Sequence, residues 1–167
     1  MGNRNDGIGD LVRGALAGLA ATWVMGQVTS YLYEHEDEEA REREDDARGG
    51  KTAFGIAAEK GAALAGMELS DRERARAGSA VHWALGAGAG AVYGALRGRV
   101  PLADAGAGLV YGGAFFLAVD EVGNTLLGLT PDPRSFPWEA HARGLAGHLV
   151  FGLTAEMSLR LLDSIRR

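Results

Sequence analysis

The chain has 167 residues, 26 of them glycine, 4 proline and none cysteine, with a formal net charge of −5. This length suits one domain; the missing cysteine excludes disulfides, thiolate metal sites and a cysteine nucleophile, and the lack of a basic stripe argues against nucleic acid as a partner. Glycine is present at about twice the roughly 7% of an average protein, and a glycine costs about 1 kcal/mol relative to alanine in a water-exposed helix, so its placement within apolar segments points to helices packed in lipid.

Residues 14–33 carry no charge, and twenty such residues match a hydrocarbon core of about 30 Å. They predict a first span over residues 12–33. Its stripe, Gly14, Gly18, Thr22, Gly26 and Ser30, recurs every fourth residue and so shares one helix face. Trp23 lies near its middle, and Tyr31 and Tyr33 at its end, where amphipathic rings favour the interface. A cleaved signal peptide is the competing reading, since Arg4 and Arg13 precede the run, but the run is too long for the usual apolar core and lacks a polar cleavage segment.

Residues 34–76 form a charged and amphipathic extramembrane segment. Nine acidic residues fall between positions 34 and 46. Glu39 with Arg43 and Glu44 with Arg48 stand at helical spacing, so the first helix is expected to continue into water until Gly49 and Gly50 stop it. A cation-binding acidic patch is the alternative. Residues 52–67 predict a short amphipathic helix on the bilayer surface or against the bundle. Ser70 followed by Glu73 is a capping box that starts the next helix.

The second span, residues 77–97, has the stripe Gly78, His82, Gly86, Gly90, Gly94, and a tight basic turn follows at Arg97, Gly98, Arg99, Val100 and Pro101. The third, residues 102–128, reads Asp104, Gly108, Gly112, Phe116, Asp120, Asn124, Gly128, with Glu121 beside Asp120. A proline-punctuated loop over residues 129–138 leads to the fourth span, residues 142–162, with Gly144, His148, Gly152 and Glu156 on one stripe. The fold class is therefore an all-α, polytopic membrane helix bundle of about four transmembrane helices, a single domain over residues 1–167. Gly14, Gly18, Gly26, Gly86, Gly90, Gly94, Gly108, Gly112, Gly144 and Gly152 are its packing residues.

Depth adds to spacing. At 1.5 Å per residue, His82, Asp120, Glu121, His148 and Gln27 fall within one layer roughly 8 to 12 Å below one face. His141 sits two turns above His148, and Glu156 two turns below, where Arg160 is also in reach. Charged groups at such depth normally face the bundle interior and find partners. Three readings compete: hydrogen-bonded groups that fix helix register, a proton-responsive site, or a metal site held by His82, Asp120, Glu121 and His148. No H-E-x-x-H or E-x-x-H pair supports the metal. No phosphate loop or nucleophile elbow occurs either, so no catalytic residue and no cofactor is assigned.

Both termini and the Arg97 turn share one side, with Arg4, Arg13, Arg97, Arg99, Arg160, Arg166 and Arg167; Arg134 and Arg143 lie on the other with the mixed-charge segment. Basic residues alone do not settle orientation, and placing the acidic segment outside puts the termini inside.

Ala80-Val81-His82-Trp83, Val92-Tyr93-Gly94, Asp120-Glu121, Gly128-Leu129-Thr130-Pro131, Pro137-Trp138 and Gly147-His148-Leu149-Val150, with Glu156 beyond, resemble the YagU-like family of small bacterial inner-membrane proteins. The resemblance runs from about residue 69 to residue 160. It implies a multi-pass protein of the bacterial inner (cytoplasmic) membrane, an association with acid tolerance, and no known reaction. The expected role is a non-enzymatic membrane component whose polar layer responds to protons or to acid and envelope stress. The alternatives are an intramembrane metal protein or enzyme, and a small subunit of a membrane complex. Glycine faces suit a homo-oligomer as well as internal packing, so the expected partners are the lipid bilayer and a second copy or another membrane protein.

Overall fold

A computed structural model describes residues 7–165 of the chain. Arg4, Arg166 and Arg167, which the charge count places on the terminal side, lie outside them. Among the described residues the fold is all-α, without strands. The elements are α1 (Gly7–Glu34), α2 (Glu38–Arg48), α3 (Ala53–Leu64), α4 (Asp71–Leu96), α5 (Leu109–Phe116), which continues through a π-helix (Leu117–Gly123) into α6 (Asn124–Leu126), a 3-10 turn (Pro133–Ser135) and α7 (Trp138–Ile165).

Two of the helices, Gly7–Glu34 and Trp138–Ile165, are long and apolar enough to cross a membrane. The other two expected spans fall short of that measure. In α4, alanine and glycine occupy places where a more apolar span would carry leucine. The third expected span does not begin at residue 102, because residues 102–108 form turns with left-handed backbone at Gly106, Ala107 and Gly108, and the helix starts only at Leu109.

α1, α4, α5 and α7 form an up-and-down bundle in which small residues set the approach of neighbouring helices. On α1 and α4, which run antiparallel, a Cβ added at Gly14 or Gly18 would strike the carbonyl oxygens of Gly90 or Gly86, and one at Gly90 would strike Gly14 and Gly18 in return. A Cβ at Gly94 would meet the backbone of Asp10, and one at Gly86 the Thr22 hydroxyl. α5 and α7 repeat the device with Gly108, Gly112 and Gly152. Gly108 needs its glycine twice over, for φ +87° and for its contact with Gly152. Gly26 is the exception among the predicted packing residues: a Cβ there would meet nothing, because the stripe extends past the point where α4 lies against α1.

α4 and α5 are held apart by side chains instead of glycines. The Tyr111 hydroxyl donates to the Ala89 carbonyl at 2.7 Å, and the Tyr111 and Tyr93 rings lie with centroids 4.8 Å apart. The buried core is correspondingly thin, built from Ala17, Ala21, Ala89, Ala155, Tyr93, Phe151 and Leu159.

The charged segment departs from expectation. α1 does not run on through it, because Asp37 caps a separate helix by accepting from the Glu39 amide at 2.9 Å. α2 then ends at Gly49 in left-handed conformation. It is no solvated extension either, since Glu44 is fully buried and paired with Arg143 of α7. α3, capped by Thr52, packs on α4 where Gly55 meets Gly78. The Ser70–Glu73 capping box opens α4, with the Ser70 amide donating to Glu73 at 2.9 Å.

Candidate functional site

Beyond Gly86 and Thr22 the glycine contact between α1 and α4 ends. There the four bundle helices, with α3 and residues 129–136 over them, surround a cavity of about 530 Å³. All five phenylalanines of the chain, Phe54, Phe115, Phe116, Phe136 and Phe151, line it. The three tryptophans, Trp23, Trp83 and Trp138, are exposed on the outside instead.

His82, Asp120 and His148 stand on the wall of this cavity. His148 is buried on α7, with its Nδ1 2.9 Å from the Gly144 carbonyl oxygen and 3.7 Å from Asp120 Oδ2. A carbonyl only accepts, so Nδ1 carries the proton. Asn124 donates to Asp120 Oδ1 at 3.5 Å. The rings of Phe115 and Phe116 flank His148, with centroids at 4.9 and 5.6 Å. His82 faces the cavity from α4, its ring centroid 4.6 Å from that of Phe54. Gly144 makes room for this arrangement, because a Cβ there would lie 2.9 Å from the Phe116 ring and 3.5 Å from Asp120.

The π-helix serves both adjacent carboxylates, since Asp120 and Glu121 each reach a histidine of α7. Glu121 Oε1 is 2.6 Å from His141 Nδ1, while His141 Nε2 is 3.0 Å from the Pro133 carbonyl. Both ring nitrogens of His141 are therefore engaged, one by the Glu121 carboxyl group and one by the Pro133 carbonyl. π-turns inside α-helices are frequent at functional sites.

The single layer read from depth therefore divides. His82, Asp120, Glu121 and His148 all line the cavity, with Glu121 paired to His141 on the same wall. Gln27 is exposed on the outer side of α1, because it lies off the stripe that α1 turns to its neighbours. Glu156 belongs to the opposite end, where it accepts from the Tyr93 hydroxyl at 2.7 Å, Arg97 Nε at 2.7 Å and Arg160 Nε at 2.6 Å. Arg97 also reaches Asp163 at 2.7 Å, so this network binds α4 to α7 at the closed end. Among the described residues no three His, Asp or Glu side chains gather closely enough to hold a metal ion. His82, Asp120, Glu121 and His148, the set the sequence offered for a metal, do not converge in this arrangement, in which Glu121 pairs with His141.

One cluster escapes the sequence reading. Arg143, nearly buried in the first turns of α7, pairs with Glu36 and with Glu44, and its guanidinium lies over the Tyr33 ring, 4.9 Å from the centroid. Arg48 joins Glu44 from the same helix. A charge inside an apolar segment was the available signal at Arg143; Glu44 gave none among its acidic neighbours.

No family model, no curated protein and no solved structure matches the chain.

Proposed function

We propose that the chain is a multi-pass protein of the bacterial inner membrane in which α1, α4, α7 and the α5–α6 unit cross the bilayer, and that its phenylalanine-lined cavity is a non-enzymatic, proton-responsive site. The resemblance to the YagU-like family is part of this reading. The observation that carries it is an inversion of polarity. Large apolar side chains such as Leu16, Trp23, Val92, Val110, Leu153 and Met157 are exposed, whereas the interior holds glycine, alanine, His148, Glu156 and Arg143. A soluble bundle rarely leaves so much apolar surface uncovered, and lipid accepts it without penalty. The third crossing is short: it has 18 residues from Leu109 to Leu126, seven of them in the wider, flatter π-helix, within the lower part of the roughly 17–25 residues a crossing uses.

Within the cavity, protons have groups to act on. His82 of α4 and His148 of α7 face Asp120 of the π-helix, with the Glu121–His141 pair beside them and Arg143 already bound to Glu36 and Glu44. Imidazoles next to carboxylates exchange protons near neutral pH.

Two measurements test the proposal. Membranes from expressing cells are washed with alkaline carbonate, and the protein is expected to stay in the pellet; release into the supernatant overturns the membrane reading. Cells that depend on the protein under acid challenge are expected to lose survival and internal-pH control when His82→Ala and His148→Ala are combined. Unchanged survival and internal pH overturn the proton reading.

A further inference from the structure

We infer that the cavity binds organic monocations bearing large apolar groups, with Asp120 as their counter-ion. This deepens the cavity reading above and rests on it, but it does not depend on the proton response. Three observations converge. First, the walls are aromatic, since all five phenylalanines gather there, and ring faces attract cations while covering apolar substituents. Second, the basic residues on the wall are already neutralised: Arg143 by Glu36 and Glu44, Arg48 by Glu44, and Lys51 by Glu59 at 3.1 Å. No arginine or lysine on the wall is left unpaired for an anionic guest.

Third, Asp120 is only half compensated. Its nearest donors are Asn124 at 3.5 Å and His148 Nδ1 at 3.7 Å, and the latter already donates to Gly144 at 2.9 Å. A carboxylate in such surroundings gains most from a mobile positive charge. A small metal ion does not fit the description, because no second and third ligand converge beside Asp120. A bulky organic cation does, and about 530 Å³ matches sites that enclose drug-sized ligands.

The test uses two ions of one shape and opposite charge. The purified full-length chain in detergent micelles is dialysed against tetraphenylphosphonium and, separately, against tetraphenylborate. Saturable phosphonium binding is expected, with borate showing only non-saturable uptake by the micelles. Asp120→Asn is expected to weaken phosphonium binding about tenfold or more, whereas Asp120→Glu retains saturable binding. Equal binding of the two ions by the wild-type chain overturns the inference, a result that needs no variant to fold. Unchanged phosphonium affinity in Asp120→Asn overturns it as well. The carbonate wash separates this outcome from the membrane reading: a carbonate-resistant chain that fails to bind phosphonium refutes the inference alone, and an extractable chain that binds it refutes only the membrane assignment.

Discussion

Arg143 keeps only 9% of its side chain exposed and meets two carboxylates that the chain delivers from far away in sequence, Glu36 and Glu44. Removing one partner of such a buried cluster leaves the others charged and unpaired, which costs about 3–5 kcal/mol. Arg143→Met is therefore expected to lower the thermal stability of the detergent-solubilised protein strongly and to detach α2, read as new proteolytic cleavage within residues 38–48. Adding Glu44→Leu is expected to restore part of the loss; if Arg143→Met alone is as stable as wild type, the cluster does not hold α2. Two glycines make a matched pair at this scale. Gly90→Ala drives a methyl group into the backbone of Gly14 and Gly18 and is expected to destabilise by about 1–3 kcal/mol, whereas Gly26→Ala meets open space and is expected to be neutral or slightly stabilising. Melting curves of the two variants check this, and equal effects would contradict it.

Among the elements, α3 is docked on α4 by contacts that respond to acid. Glu59 accepts from Arg74 at 2.8 Å and from Lys51 at 3.1 Å, and the Arg74 hydrogen bond, followed by that of Lys51, holds the Glu59 carboxyl below its ordinary value. A depressed folded value means the contribution is fully present above the ordinary glutamate value of about 4.3 and is lost as pH falls through the lower one. Amide exchange in α3 is expected to accelerate over that window before α1 loses protection, and Glu59→Gln is expected to remove the step. An α3 that exchanges with the same pH profile in both proteins would contradict this.

The elements also show what a sequence discloses. Spacing of four disclosed the glycine faces of α1, α4, α5 and α7, because a helix repeats its face nearly every four residues. It did not disclose where each face finds a neighbour, and so it included Gly26. The π-helix was hidden for a related reason: the stripe from Gly112 to Gly128 assumes a uniform α-helix, and the wider turn at Leu117–Gly123 depends on what Asp120 and Glu121 meet on α7. The capping box at Ser70 and Glu73 was legible because it is local, whereas the docking of α2 rests on Arg143, about a hundred residues later. His82, Asp120 and His148 were readable as neighbours by depth. Depth also set Glu156 two turns below His148 within reach of Arg160, and there it accepts from Arg160, but depth did not disclose its partners Tyr93 and Arg97 at the end of α4.

For the whole molecule, polarity and packing describe one arrangement. Glycine contacts and the Glu156, Arg97 and Asp163 network close one end of the bundle, and at the other the helices separate around the cavity. The outward faces of the bundle helices carry large apolar side chains such as Leu16, Val92 and Leu153, which the proposed membrane reading places against lipid. Because the chain has no cysteine, single cysteines can report this directly. Leu16→Cys, Val92→Cys and Leu153→Cys replace exposed apolar side chains on three different helices, and Arg134→Cys marks an exposed loop position. With permeabilised membranes and a water-soluble maleimide, the account expects Arg134→Cys to label rapidly and the other three to stay unlabelled until detergent or denaturant is added. Labelling of all four at similar rates in the same permeabilised membranes, before detergent or denaturant is added, would contradict it.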